Sequence, residues 1–88
     1  MYLHLGQGVM IPHDEIIGVF DLDNTTQSYI TRDFLSRAEK SGGVINIAED
    51  IPKSFVVCVD GDVMTVYLSQ LNPSTLLKRS ETDMFVGL

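Results

Sequence analysis

The residues most able to bind a ligand form an acidic run, Asp21-Leu22-Asp23-Asn24. Carboxylate and amide oxygens at alternate positions are the ligands that calcium-binding loops use. A loop of the EF-hand type also needs a glycine at its sixth position and a glutamate at its twelfth. This chain has Thr26 and Arg32 at those positions. The run therefore indicates a solvated turn, and we expect no metal site.

Few side chains could act as nucleophiles, bases or metal ligands. His4 and His13 have no cysteine or histidine at metal-ligand spacing. Cys58 is flanked by valines in a strand-like run, which favours a buried structural thiol over a reactive one. Gly6-Gln7-Gly8 lacks the third glycine and the following helix of a dinucleotide-binding loop, so it indicates a turn. These patterns predict neither catalytic residues nor a cofactor.

Six basic residues are the candidates for contacting nucleic acid, with one group on a predicted central helix and one after a predicted hairpin. Four of them are our candidate DNA contacts: Arg32, Lys53, Lys78 and Arg79. Two interpretations of Lys78-Arg79 stay open, a helix-end charge that complements the helix dipole and a phosphate contact. Asp33 and Glu39 interleave with the basic residues of the central helix, which is typical of a solvated face.

Composition sets limits on the function. The 88 residues include 12 acidic and 6 basic side chains, with a net charge of −6. This balance opposes the positive footprint of a nucleic-acid binder, although it leaves room for a local basic patch. A single cysteine allows no internal disulfide and fits a reducing compartment. We see no signal peptide and no apolar run of about 20 residues, so we expect a cytoplasmic protein that stays out of the membrane.

The hydrophobic pattern predicts an α+β fold, with a small antiparallel-rich sheet of four to five short strands, one long helix and a short C-terminal helix. Predicted strands precede the hairpin at residues 2–5, 9–11, 16–20 and 44–47. The long helix has Ser28 as its N-cap and ends at Ser41-Gly42-Gly43. Its predicted buried stripe consists of Ile30, Phe34, Leu35 and Ala38. The short helix begins at Pro73, and we expect one domain over residues 1–80 and a C-terminal tail over 81–88.

The hairpin carries the strongest local signal. Asp60-Gly61 between two apolar runs predicts a type I′ turn with a positive φ at Gly61. Both strands are apolar on both faces, whereas a half-exposed antiparallel strand alternates apolar and polar residues. One long helix covers only one face of such a sheet, so the other face would be an exposed apolar patch of the kind that marks an interface. We therefore predict a homo-oligomer.

Four segments, taken in order, resemble the RemB (YaaB-like) family, whose members are paralogues of the extracellular-matrix regulator RemA. The segments are Tyr2-Leu3-His4-Leu5-Gly6, the strand 16–20 running into Asp21-Leu22-Asp23, residues 52–58 (PKSFVVC) and residues 73–79 (PSTLLKR). The resemblance covers at least residues 1–80. It rests on the combination and order of the segments rather than on one motif.

The resemblance implies an α+β domain that forms ring-like homo-oligomers and switches on biofilm matrix operons. It also implies DNA contact through arginines around the ring, just before the third strand and as a pair before the hairpin. At those places this chain has His13-Asp14-Glu15 and Asp50-Ile51-Pro52-Lys53. Of the second segment only Lys53 is basic, and carboxylates repel phosphate. The family's fold and pathway therefore carry over better than its DNA contact.

Two mechanisms remain open for a regulator of extracellular-matrix (biofilm) gene expression. In the first, an oligomer gathers Lys53, Lys78, Arg79 and Arg32 on one surface and binds DNA directly. In the second, the chain is an acidic interaction module that acts through another regulator, such as a RemA-type partner, without contacting DNA. The family resemblance favours the first mechanism and the net charge favours the second. No residue pattern supports an enzyme.

Overall fold

The computed structural model describes residues 2–22 and 29–86, with side chains through Arg79, and it has the α+β fold that we predicted. This part of the chain contains six strands and two helices. In chain order they are β1 (Tyr2–Gly6), β2 (Val9–Pro12), β3 (Ile16–Asp21), α1 (Tyr29–Lys40), β4 (Val44–Asn46), β5 (Ser54–Asp60), β6 (Val63–Ser69) and α2 (Pro73–Val86). A 3-10 turn, His13–Glu15, links β2 to β3.

The described strands form two sheets rather than the one sheet of four to five strands that we predicted. β1 and β2 pair with each other as an antiparallel hairpin. The other four lie in the order β3-β5-β6-β4, antiparallel except for β4, which runs parallel to β6. The β1–β2 hairpin is a separate layer because β5 is apolar on both faces and needs cover on both.

Each face of the four-stranded sheet has its own apolar core. On one face, Phe55, Val57 and Val66 are buried beneath α1. On the other, Val56 and Cys58 are buried beneath the β1–β2 hairpin and α2. The covering side chains are Phe34, Leu35 and Ala38 on the first face and Leu3, Leu5, Ile11 and Leu76 on the second. The premise that the second face lacks cover within the chain is therefore wrong, and the predicted homo-oligomer loses that support.

The β5–β6 turn lies one residue later than predicted. Asp60 pairs with Val63, so Gly61 and Asp62 are its central residues. Gly61 has the predicted positive φ, +60°, whereas Asp62 does not have a positive φ. A positive φ at the first central residue alone is the type II′ pattern, which favours glycine there. The prediction of a type I′ turn centred on Asp60-Gly61 was wrong, and that of a positive φ at Gly61 is confirmed.

Glycine ends α1 where we predicted. Gly42 has a φ of +77°, and the Gly43 N–H donates to the Ala38 carbonyl at 2.9 Å. The Gly42 N–H donates to the Glu39 carbonyl at 3.0 Å, which completes a Schellman motif. The Gly43 carbonyl then accepts a 2.7 Å hydrogen bond from the Val66 N–H, which brings the chain alongside β6 as β4 begins.

Both helices also depart from prediction. α2 begins at Pro73 as predicted, but its 14 residues exceed the 12 of α1, so the prediction of a short C-terminal helix was wrong. It runs to Val86, through most of the segment that we expected to be a tail. On α1, Ile30 is exposed rather than part of a buried stripe. The predicted N-cap, Ser28, lies outside the described residues.

Two buried serines fix the backbone where β5 begins and β6 ends, and one of them, Ser69, joins the sheet to β1. The Ser69 hydroxyl donates to the Leu5 carbonyl at 2.7 Å and accepts a 3.1 Å hydrogen bond from the Leu71 N–H. The Ser54 hydroxyl donates to the Leu71 carbonyl at 2.8 Å. These hydrogen bonds hold β1 against the end of β6 and so position the surface that β1 shares with α2.

Candidate functional site

The four candidate DNA contacts are exposed, and they lie on three different parts of the fold. Arg32 is on α1, Lys53 directly precedes β5, and Lys78-Arg79 is on α2. Because α1 and α2 cover opposite faces of the sheet, one protomer does not bring Arg32 together with the α2 pair.

The length of α2 tests one of the two interpretations of Lys78-Arg79, the helix-end charge. The helix continues to Val86, and its last turn contains no basic residue. The effect of the helix dipole falls off within the last turn, so the pair does not cap the dipole. The helix-dipole interpretation therefore does not hold, and the contact with phosphate stays a prediction.

Arg79 also contacts β1. Its Nη1 donates to the His4 carbonyl at 3.4 Å, a long and therefore weak hydrogen bond. An arginine carries five N–H donors, so this contact orients the guanidinium and leaves most of its donors available for an anion.

The two places where the family resemblance implies arginines lie at opposite ends of β5. The 3-10 turn His13–Glu15 precedes Ile16, which pairs with Cys58 near the end of β5. Residues 50–53 precede Ser54, the first residue of β5. Seven strand residues span about 20 Å, so one protomer presents the two places as separate surfaces.

Burial of Cys58 on β5, with the nearby charge of Glu15, disfavours the thiolate form. Burial raises the pKa of the Cys58 thiol to about 11, and the negative charge of Glu15 adds to the rise. Burial, Cys58 and Glu15 also raise the pKa of the Tyr67 hydroxyl. A thiol that keeps its proton at neutral pH is not a nucleophile. The prediction of a buried structural thiol is confirmed.

The basic residues of α1 include one that is already paired. Arg37 Nε lies 3.0 Å from Asp33 Oδ2, and both side chains are exposed. Such an i,i+4 pair contributes about 0.3–0.5 kcal/mol and lies on a solvated face. The interpretation of this face as solvated is confirmed, and Arg37 is a cation whose charge Asp33 already balances.

The described part of the chain offers neither a metal site nor a membrane-spanning helix. Among the side chains described, those of residues 2–22 and 29–79, no group of three or more His, Cys, Asp or Glu is placed to hold a metal ion. Asp23 and Asn24 lie outside those ranges, so the absence of a calcium site stays a prediction. No helix in the described ranges is both long enough and apolar enough to cross a bilayer.

An apolar groove of about 390 Å³ lies between α1 and the edge strand β3. Its walls are large side chains that are partly exposed, and its floor is formed by two buried residues of β5. We call it the β3–α1 groove, with walls of Ile17, Phe20, Ile30 and Met64 and a floor of Phe55 and Val57.

A β-bulge in β3 shapes this groove. Ile16 pairs with Cys58 but Gly18 pairs with Val57, so Ile17 is an extra residue on β3. An extra residue interrupts the alternation of side chains along a strand. Ile17 therefore lines the groove together with Phe20, three residues later, instead of lying on the opposite face.

Gly18 provides the space for the groove wall. A Cβ atom at this position would lie 2.7 Å from the Phe20 ring. Without that atom the ring lies against its own strand and stacks on Phe55, with ring centroids 4.9 Å apart and an interplanar angle of 19°. The stacked pair forms one end of the groove.

Our sequence interpretation missed the groove for two reasons. It assigned Ile30 to a buried stripe, and simple alternation along β3 places Ile17 and Phe20 on opposite faces. The available signal was Gly18, because glycine within an apolar strand often marks a bulge.

The sequence matches known proteins over almost the whole length of the chain. The profile of the RemA-like family, described as extracellular matrix regulatory protein A-like, matches residues 2–79. The chain is also 35% identical over 81 residues to extracellular matrix regulatory protein B of Bacillus subtilis (strain 168), an alignment that covers 92% of this chain and 91% of that protein. The profile match runs from the start of β1 to Arg79, so it includes both sheets and the residues that line the groove. The chain belongs to the RemA-like family of extracellular matrix regulatory proteins.

Proposed function

We propose that this protein is a cytoplasmic regulator of extracellular-matrix (biofilm) gene expression that acts as a homo-oligomer and contacts DNA through basic residues of neighbouring copies. The family match over residues 2–79 supports the regulatory role. The observation that carries the DNA contact is the exposed pair Lys78-Arg79, which lies within α2 rather than in its last turn.

The proposal needs more than one copy for a geometric reason. Arg32 and the α2 pair lie on opposite faces of the sheet, so a single protomer offers a duplex about two cations. In a symmetric oligomer each copy presents the same cations to the duplex. Because the copies are linked, their weak contacts together bind DNA more tightly than one copy alone.

Salt dependence measures the number of these contacts. Each neutralised phosphate contributes about −0.9 to the slope of log affinity against log salt. Two copies that each use Lys78 and Arg79 would therefore give a slope of about −4.

The test is fluorescence anisotropy with a labelled matrix-promoter duplex between 50 and 200 mM salt. We expect Lys53→Ala with Lys78→Ala to abolish binding. The control is Arg37→Ala with Lys40→Ala on α1, which also removes two positive charges, one of them already paired with Asp33. Equal losses in the Lys53/Lys78 variant and the control would show that overall charge, not these side chains, governs binding.

A second candidate function follows from the acidic residues. Asp14 and Glu15 stand at one end of β5 and Asp50 at the other, where the family resemblance implies arginines. Under this candidate the protein is an acidic interaction module that acts through another regulator, such as a RemA-type partner. Wild-type protein that binds no DNA even at 50 mM salt would exclude direct contact and favour this candidate. If direct contact holds, Asp14→Arg with Ile51→Arg should strengthen binding.

A further inference from the structure

We propose that His4 is a phosphate-contacting residue, which forms an anion site with Arg79 where the exposed face of β1 meets α2. When its imidazole carries a proton, it adds a positive charge to this site, so DNA binding becomes stronger as the pH falls from 8 to 6. The inference deepens the proposed function and rests on it, because it extends the contact of Lys78-Arg79 with DNA onto β1.

Arg79 connects α2 to β1. Its Nη1 donates to the His4 carbonyl at 3.4 Å. A backbone carbonyl within a strand points sideways, in the direction of the inter-strand hydrogen bonds, so this contact places the guanidinium alongside β1. A guanidinium has five N–H donors, and the remaining ones are available to an anion that lies beside the same strand.

The imidazole of His4 lies on the outer face of the β1–β2 hairpin. Leu3 and Leu5 are each 1% exposed and belong to the core beneath the hairpin. Because side chains alternate along a strand, Tyr2 and His4 lie on the opposite face, where both are exposed. An anion held by Arg79 therefore has the imidazole beside it, and the Tyr2 hydroxyl offers one more donor on that face.

The charge around His4 favours an anion. The chain has a net charge of −6, but its 12 acidic residues all follow Pro12, so the β1–β2 hairpin contains none. Met10, the partner of His4 on β2, carries no charge. The carboxylates nearest to the hairpin along the chain are Asp14 and Glu15, in the 3-10 turn that follows β2. An anion meets less repulsion on this face than at either end of β5.

The described cations that neighbour this face come from α2. Lys78 and Arg79 are exposed there, and lysine and arginine both stay positive between pH 6 and 8. Two fixed cations beside an imidazole oppose a third positive charge, whereas a bound phosphate favours it. Because such coupling is reciprocal, the protonated imidazole of His4 favours bound phosphate to the same extent.

Histidine makes this contact depend on pH in a measurable range. It is the side chain whose charge ordinarily changes between pH 5 and 8, whereas carboxylates keep their charge above pH 6. The chain has two histidines, His4 and His13. A change of DNA affinity between pH 8 and 6 that depends on His4 therefore identifies its imidazole as a contact.

The test is fluorescence anisotropy with the labelled matrix-promoter duplex at pH 8 and pH 6, over 50 to 200 mM salt. Wild-type protein should bind roughly tenfold more tightly at pH 6 and 50 mM salt, if two copies each gain one exposed ion pair. The slope of log affinity against log salt should also become steeper by about 0.9 for each copy that contacts the duplex.

Two substitutions at His4 make the test specific. His4→Gln keeps a polar side chain without a charge, so affinity and slope should be the same at both pH values. His4→Lys carries its charge throughout, so it should bind at pH 8 about as tightly as wild type binds at pH 6. The matched control is Val63→Lys, which introduces a lysine at a 65% exposed position beside the β5–β6 turn. It should keep the wild-type dependence on pH, and circular dichroism would verify that each variant folds.

The outcomes separate this inference from the proposed function. Loss of the pH dependence in both His4 variants, with wild-type dependence in Val63→Lys, supports the anion site. A dependence that persists in His4→Gln overturns it, because another group, such as His13, is then responsible. Wild-type protein that binds DNA equally at both pH values also overturns it and leaves the proposed function in place. Wild-type protein that binds no DNA at either pH, even at 50 mM salt, overturns both.

Discussion

The hydroxyl of Ser69 should be one of the most important single groups for the stability of this fold. It donates to the Leu5 carbonyl at 2.7 Å and accepts from the Leu71 N–H at 3.1 Å, at a position with no solvent exposure. Ser69→Ala removes both hydrogen bonds at once. The carbonyl of β1 and the amide beyond β6 are then left without these partners in a buried region.

The magnitude follows from these two groups. A buried polar group that loses its partner costs about 1–3 kcal/mol, so we expect Ser69→Ala to lower the free energy of unfolding by roughly 2–4 kcal/mol. A domain of this size has about 4–13 kcal/mol in total. Each kcal/mol lowers the Tm by roughly 4–8 °C in small domains, so the Tm should fall by roughly 10–30 °C.

Urea unfolding at pH 7, followed by circular dichroism, measures this change. Ser36→Ala on the exposed surface of α1 is the control, and it should stay within about 0.5 kcal/mol of wild type. Ser54→Ala removes one hydrogen bond and should fall between the two. If Ser69→Ala and Ser36→Ala unfold at the same urea concentration, the hydroxyl does not hold the β1–β2 layer to the sheet.

Three further predictions concern the turn, the thiol and the acidic run. Gly61→Val should destabilise the fold by about 1–2 kcal/mol, because a side chain resists the left-handed backbone. The control is Asp62→Val, which should lack that penalty because Asp62 does not have a positive φ. An unchanged Tm in Gly61→Val would contradict the assignment of Gly61 to a left-handed turn position. The Cys58 pKa rises from 9.0 to about 11 on folding, so the folded state keeps a proton that the unfolded chain loses. Stability should therefore be unaffected by this group below about pH 9 and fall by up to about 2.7 kcal/mol towards pH 11. Urea unfolding at pH 7, 9 and 10 should show a smaller decline for Cys58→Ala, and identical declines would refute the assignment. Calorimetry should detect no calcium site with a dissociation constant below about 1 mM. Tighter binding that is lost in Asp23→Ala would overturn the solvated-turn interpretation.

Features that depend on neighbouring residues were predictable from the sequence. Glycine at position 42 ends α1, proline at position 73 starts α2, and Gly61 takes a positive φ. In each case the backbone preference of one residue decides the local conformation. The family resemblance was also visible in short segments read in order, and the match over residues 2–79 confirms it.

The errors arose where one element competes with another for cover. Because β5 is apolar on both sides, the sequence indicated that both faces of the sheet need cover. It did not indicate that the β1–β2 hairpin and α2 cover the face opposite α1. The same ambiguity led us to predict a short C-terminal helix, because the continuation of α2 to Val86 was not evident from its weak apolar pattern.

The sequence by itself therefore determined the α+β class, most element positions, the acidic balance of charge and the family. The tertiary structure decided which elements cover each face of the sheet, the faces on which the cations lie and the existence of the β3–α1 groove. The groove depends on a bulge that places Ile17 beside Phe20 and on the width of a sheet that one helix only partly covers. Register and coverage are set by contacts between residues far apart in the chain, and local pattern does not encode them.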